Sequence, residues 1–348
     1  MLGFDARAAR YTWTAVCILI LVCLVRLLAE TLFMFIVSLL FAYLLWPLVQ
    51  FLDQRLPGRS KLPSLAIVYL SLLAVLVAAG IIIGSRIAAQ ASSLSSRIPE
   101  LLSRLEQPIE GVRQGIGLKI ITEIQRQMAE HSRDLILPLS NAILNLLSHV
   151  ELLLFIILVP VLSFFFLKDG QKLFSSLLST ISQGSRREMA NDIANDVHLL
   201  LARYMRALVL LGLAAAVTYA LFFSLIGLPY GLLLGAIAFF FEFIPMIGPL
   251  TSAIIILLVA GLSGFGHLVW IVLFLVAFRL FQDYVLSPLL LGSGTEVHPL
   301  LVIFGVFAGG QIAGIPGSFL SVPIMATLRI IYRQVQKRRS PAAVSNGP

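Results

Sequence analysis

Charge is what this sequence has least of. Asp, Glu, Lys and Arg make up 12% of its 348 residues, about half the share of a soluble domain. Hydrophobic residues reach 59%, and the mean hydropathy is +0.98. Such a chain cannot solvate its whole surface, which excludes a soluble globular protein. Cysteine is nearly absent. Cys17 and Cys23 share one apolar run, where their spacing points them apart, so neither a disulfide nor a cysteine metal site is expected. Catalytic signatures are missing too. There is no H-E-x-x-H zinc motif, no nucleophile elbow and no P-loop. Ser318, in Gly317-Ser318-Phe319, is an isolated nucleophile candidate without an obvious base. No catalytic residue and no resident cofactor or metal is expected, and an ATP-driven motor would have to be another chain.

What is present is long uncharged runs. Each is of the length a helix needs to cross about 30 Å of hydrocarbon. A membrane barrel would instead show short alternating segments. The expected fold is an all-α integral membrane protein with about eight transmembrane helices, near 12–28, 31–52, 62–85, 148–167, 207–226, 231–260, 268–291 and 299–328. The first is read as a retained span, without a convincing cleavage site before Glu30. Lys168-Asp169-Gly170 is expected to end the fourth, and Gly227-Leu228-Pro229-Tyr230-Gly231 to separate the fifth from the sixth.

The net charge of +8 does not indicate nucleic acid. The basic residues sit in short segments beside apolar runs, at the N-terminus, 53–61, 168–204 and the C-terminus. An even number of spans puts these on one side, and the positive-inside rule assigns that side to the cytoplasm, with both termini. The expected organisation is three N-terminal spans over 1–85, an amphipathic helical extracytoplasmic region over 86–149, a transport core over 150–333 with a cytoplasmic segment at 168–204, and a disordered cytoplasmic tail over 334–348. In the second region Ile98, Leu101, Leu102, Leu105, Ile109 and Val112 recur at helical spacing.

The run Phe239-Phe240-Phe241-Glu242-Phe243-Ile244-Pro245-Met246-Ile247-Gly248-Pro249 organises the rest. Pro245, Gly248 and Pro249 break the helix inside an apolar span. Freed carbonyls are tolerated in lipid only where they face protein, water or a solute. Glu242 lies one turn before the break, where a carboxylate needs a cavity or a cation. A second break is Gly309-Gly310-Gln311-Ile312-Ala313-Gly314-Ile315-Pro316-Gly317. Gly309, Gly310, Gly314 and Gly317 either let helices pack closely or, with Pro316, unwind the span opposite the first break. This second break is compatible with a re-entrant hairpin.

Arg279, Gln282 and Asp283 share a helical face in the seventh span. Arg279 and Asp283 have the spacing of an ion pair. The pair is either permanent or one in which Asp283 exchanges Arg279 for a proton or Na⁺. Glu296 and His298 flank a turn expected near the outer boundary and are candidates for a gate, since histidine titrates near neutral pH. The expected pathway joins the two breaks to the 279–283 face, with Glu242 and Asp283 coupling solute movement to H⁺ or Na⁺. A channel or scaffold protein is the competing class; a channel would conduct without proton coupling.

The second half resembles the autoinducer-2 exporter family of PerM-like permeases. The similarity rests on Phe164-Phe165-Phe166-Leu167-Lys168-Asp169-Gly170, Ile226-Gly227-Leu228-Pro229-Tyr230, Glu242-Phe243-Ile244-Pro245-Met246-Ile247-Gly248-Pro249, Val285-Leu286-Ser287-Pro288, Val297-His298-Pro299-Leu300, and the 309–317 run ahead of Val322-Pro323. Order and spacing agree over about 150–333. The resemblance implies a bacterial inner-membrane transporter with about eight spans, working as a homo-oligomer such as a pentamer. Its cargo would be a small polar solute, the quorum signal autoinducer-2, or a monovalent cation exchanged as Na⁺(Li⁺) for H⁺.

Overall fold

A computed structural model describes residues 6–56, 60–105, 150–179, 184–263, 265–266, 268–291 and 298–339. Among these the regular structure is entirely helical. The helices are α1 (Ala6–Leu27), α2 (Ala29–Asp53), α3 (Leu62–Ala79), α4 (Ser85–Leu105), α5 (Val150–Ser179), α6 (Ser185–Leu225), α7 (Gly231–Phe241), α8 (Ile247–Leu262), α9 (Leu268–Phe281), α10 (Ser287–Leu291) and α11 (Pro299–Arg339). Among the described residues seven stretches are long and apolar enough to cross a membrane, whereas α7 and α8 are apolar but short. The expected fold class is therefore the observed one. Of the 86–149 region, residues 106–149 lie outside the described residues, as do Glu296 and the tail from Ser340.

The spans follow their uncharged runs, with differences at the ends. α1 and α2 are separated only by Leu28, and i→i−4 hydrogen bonds at Leu28 and Leu32 carry through, so the expected first and second spans join as one nearly continuous helix instead of being parted by a tight turn. α2 continues past Pro47 to Asp53. α3 passes through a π-helical turn at Gly80–Gly84 directly into α4. Gly170 does not end the fourth span, because α5 runs on to Ser179. Past Lys168 the helix carries Asp169, Gln171 and Lys172, and a mid-helix glycine weakens a helix but need not break it. A Lys61 Nζ bond to Gln171 Oε1 at 3.1 Å ties it to the α2–α3 turn.

Three apolar clusters hold the bundle. Ala42, Leu45 and Val49 of α2 meet Leu65 and Val68 of α3 and Leu167 of α5, beside a 2.5 Å Tyr69–Ser163 hydroxyl contact. Leu40 of α2 meets Leu201, Tyr204, Met205 and Leu208 of α6 and Leu320 of α11. The largest cluster joins α6, α7, α8 and α9 around the fully buried Phe223, Leu234, Ile256 and Ile271.

α7 runs antiparallel to α6. A Cβ at Gly231 would stand 3.0 Å from Phe223 Cβ, one at Gly235 only 2.6 Å from the Ala216 carbonyl, and one at Gly212 3.0 Å from the Phe239 ring. Small residues here let two backbones touch. α9 is also antiparallel to α6: Phe274 stacks on Phe222 at 3.7 Å, and Phe278 meets Tyr219 at 5.1 Å. The start of α9 is thus level with the α6–α7 turn. A short connection leads there from the end of α8, so α8 returns to the end at which α7 began. Helices of about 16 Å and about 24 Å fall short of the hydrocarbon thickness. Together they form a re-entrant hairpin with its tip at 242–246.

α11 also doubles back. Ala313 (φ −139°, ψ 19°) and Gly314 (φ 64°, ψ −145°) interrupt it. Ser318 Oγ bonds the Val306 carbonyl at 3.1 Å, Gly309 and Gly317 touch through their carbonyls, and Gly305 faces Ser321 and Met325. The arms 299–312 and 315–339 are antiparallel. The second break is a re-entrant hairpin, not a straight span.

The two hairpins enter from opposite ends. Gln334 bonds Asp196 near the polar start of α6, which puts the foot of the second hairpin at the basic end with Lys61 and Lys172. His298, expected on the side away from the basic segments, lies at that foot, at the basic end. Because each hairpin returns the chain to the end it came from, Ser263 and His298 each lie at the end of the bundle opposite to the one that eight straight spans require. The final segment stays with the basic end.

Candidate functional site

The first tip is shaped by its prolines and one strained residue. α7 ends as Glu242 N bonds the Ala238 carbonyl at 3.0 Å, and Ile247 N reaches back to the Pro245 carbonyl at 2.7 Å. Met246 sits at φ 64°, ψ −50°, a region costing a non-glycine residue on the order of 1–3 kcal/mol. The surrounding packing must hold it there. A Cβ at Gly248 would collide with the Phe241 carbonyl, so only glycine closes this turn. Pro249 lies in the first turn of α8, and its carbonyl accepts from Ser252 Oγ at 2.9 Å.

Glu242 caps the end of α7 and is half-buried. Gln282 Nε2 donates to its Oε1 at 2.6 Å. Gln282 is 3% exposed and opens the π-helical turn Gln282–Leu286 that interrupts the spanning helix between α9 and α10. Such a turn inserts a residue, swings the following side chains and recurs at functional sites. Among the described residues Glu242 has no ion-pair partner.

Arg279 and Asp283 form a separate pair. Nε and Nη2 of the guanidinium each lie 2.8 Å from a carboxylate oxygen. Both side chains remain partly exposed, at 38% and 44%. The fork geometry satisfies both groups and leaves Glu242 with a neutral amide as its partner. The expected face at 279–283 is therefore divided: Gln282 contacts Glu242 directly, while Arg279 and Asp283 pair with each other and act on Glu242 only through their charges.

The second tip uses the glycine-rich run. A Cβ on either Gly309 or Gly317 would enter the other's carbonyl, and one on Gly310 would lie 2.9 Å from Ser318 Oγ. Gly314 takes a conformation open essentially to glycine alone, and Pro316 begins the return arm. The tips approach through Phe243 and Phe319, whose ring centroids are 6.2 Å apart. Ser318 is thus a hairpin clasp with its hydroxyl engaged.

Sequence reasoning missed Tyr204. Its side chain lies in the cluster with Phe243, Phe319 and Leu320, and its buried hydroxyl has no hydrogen-bond partner among the described residues. A buried orphan hydroxyl calls for a water or a solute group. No sequence signal separates it from the apolar stripe of α6 around it. His298 caps α11, with its carbonyl accepting from Leu301 N at 2.9 Å and its exposed ring accepting from Leu300 N at 3.3 Å. It stands at the foot of the hairpin, away from Glu242.

Two interrupted hairpins entering a helical bundle from opposite ends, with a carboxylate at one tip, define a multi-pass membrane protein of the transport class. The chain belongs to the family described as AI-2E family transporter, which matches residues 15–337. YrrI of Bacillus subtilis (strain 168) is 25% identical over 349 residues, covering 94% of this chain and 97% of its own. YueF of the same organism is 24% identical, covering 83% and 80%. PerM of Escherichia coli (strain K12) is 24% identical, covering 85% of each. All three bear names that assign them provisionally to transport, YrrI and YueF as transport proteins and PerM as a permease.

Proposed function

We propose that this chain is a secondary transporter of the bacterial inner membrane that moves a small polar solute, of the autoinducer-2 kind, out of the cell. The observation that carries the reading is the Glu242–Gln282 contact at the tip of the first hairpin. It sets a carboxylate without a cationic partner where the backbone is broken and the second hairpin approaches. Hydroxyl-rich solutes suit such a place, because backbone carbonyls and the Tyr204 hydroxyl offer hydrogen bonds that lipid cannot supply. The reading assigns the basic end and both termini to the cytoplasm and the exposed apolar faces partly to contacts between copies in a homo-oligomer. It assigns no catalytic step and no resident cofactor.

The same carboxylate favours a second reading, Na⁺(Li⁺)/H⁺ antiport. A site that is occupied in turn by H⁺ and Na⁺ needs a carboxylate not already neutralised by an arginine, and Glu242 fits that requirement. Everted vesicles loaded with a pH-sensitive dye separate the two. Proton movement on adding Na⁺ or Li⁺, abolished by Glu242→Gln, supports antiport. No proton response, together with export of the solute that Glu242→Gln abolishes, supports the first reading. Transport that is indifferent to Glu242→Gln removes both.

A further inference from the structure

α6 and α11 change from polar to apolar at matching heights. The uncharged run of α6 begins after Arg206, and that of α11 ends at Leu328. At this boundary the two helices enclose a cleft of about 250 Å³. Arg203 reaches it from α6, and Arg333 and Lys337 from α11. Arg333 and Lys337 are one helical turn apart and line the same wall. Among the described residues none of the three takes part in an ion pair.

One carboxylate, Asp196, also borders the cleft, but Gln334 Nε2 occupies its Oδ2 at 2.8 Å. The cleft therefore holds three cations against one engaged carboxylate. The remaining lining includes Leu200, Leu291 and Ile330. Topogenic charge alone would scatter basic residues over exposed faces. Here residues far apart in sequence converge on one concave spot with an apolar floor. Like charges so close repel unless an anion joins them.

We propose that this cleft binds the phosphate headgroup of an acidic phospholipid, with the acyl chains leaving along the apolar floor. Arginine and lysine at a membrane boundary recognise such headgroups, and the arginine forks can chelate phosphate oxygens. A lipid held there would fasten the foot of the second hairpin to α6.

The test uses the full-length chain in neutral detergent and follows thermal unfolding while titrating phosphatidylglycerol, phosphatidylcholine or inorganic phosphate. Phosphatidylglycerol is expected to raise the unfolding midpoint saturably and phosphatidylcholine to leave it unchanged. The triple variant Arg203→Gln, Arg333→Gln, Lys337→Gln should weaken the apparent affinity for phosphatidylglycerol at least tenfold. An undiminished response in that variant overturns the proposal. So does a full response to inorganic phosphate alone, which would mark a site for a soluble anion. Should the triple variant not fold, Asp196→Asn decides. It keeps an acceptor for Gln334 while removing the one negative charge, and is expected to tighten phosphatidylglycerol binding severalfold. Unchanged or weaker binding would refute the lipid site.

Discussion

Gln282 donates a 2.6 Å hydrogen bond to Glu242 across 40 residues of chain, joining a spanning helix to the tip of a hairpin that does not span. The donor is buried and neutral; the acceptor is a carboxylate. Gln282→Leu is expected to leave a half-buried Glu242 oxygen unsatisfied, destabilising the protein by about 1–3 kcal/mol. It should also reduce transport in vesicles, whereas Gln282→Glu should move the pH dependence of transport. Wild-type transport in both variants would strip the contact of a functional role.

The Arg279–Asp283 pair gives a different expectation. Removing one partner of an ion pair on a spanning helix leaves an unpaired charge there and is more damaging than removing both. Arg279→Leu alone should lower expression and the unfolding midpoint more than Arg279→Leu combined with Asp283→Leu. If Asp283 carries coupling, the double variant folds but does not transport. A double variant that transports normally makes the pair structural.

Topology separates the hairpins from straight spans. Cysteine introduced at Gly266, which is exposed with open space beside it, should react with an impermeant maleimide from the side opposite Lys172→Cys, and His298→Cys from the same side as Lys172→Cys, in a background lacking Cys17 and Cys23. Eight straight spans require the reverse assignment for both positions.

The clasp of the second hairpin is a packing prediction. Gly317→Ala would push its methyl into the Gly309 carbonyl and is expected to cost about 1–3 kcal/mol. Thermal unfolding in detergent reads this directly, and an unchanged midpoint would mean that the arms do not touch.

Much was determined by the sequence alone. Scarce charge and long apolar runs dictated helices in a bilayer, because backbone polar groups in hydrocarbon must be satisfied within the segment. Pro245, Gly248 and Pro249 located one interruption, and Gly309 to Gly317 the other. Glu242 stood out as a carboxylate without a neighbouring base. What the sequence could not supply was direction. A proline or glycine says where the helix must stop, not whether the chain then goes on or turns back. That choice rested on contacts between residues distant in sequence: Gly235 against Ala216, Phe222 against Phe274 and Val306 against Ser318. The same long-range packing turned Gln282 toward Glu242, whereas the Arg279–Asp283 pair, four residues apart on one helix, was already legible in the sequence. Local chemistry determined which residues are costly in a membrane, and only tertiary packing decided which of them meet.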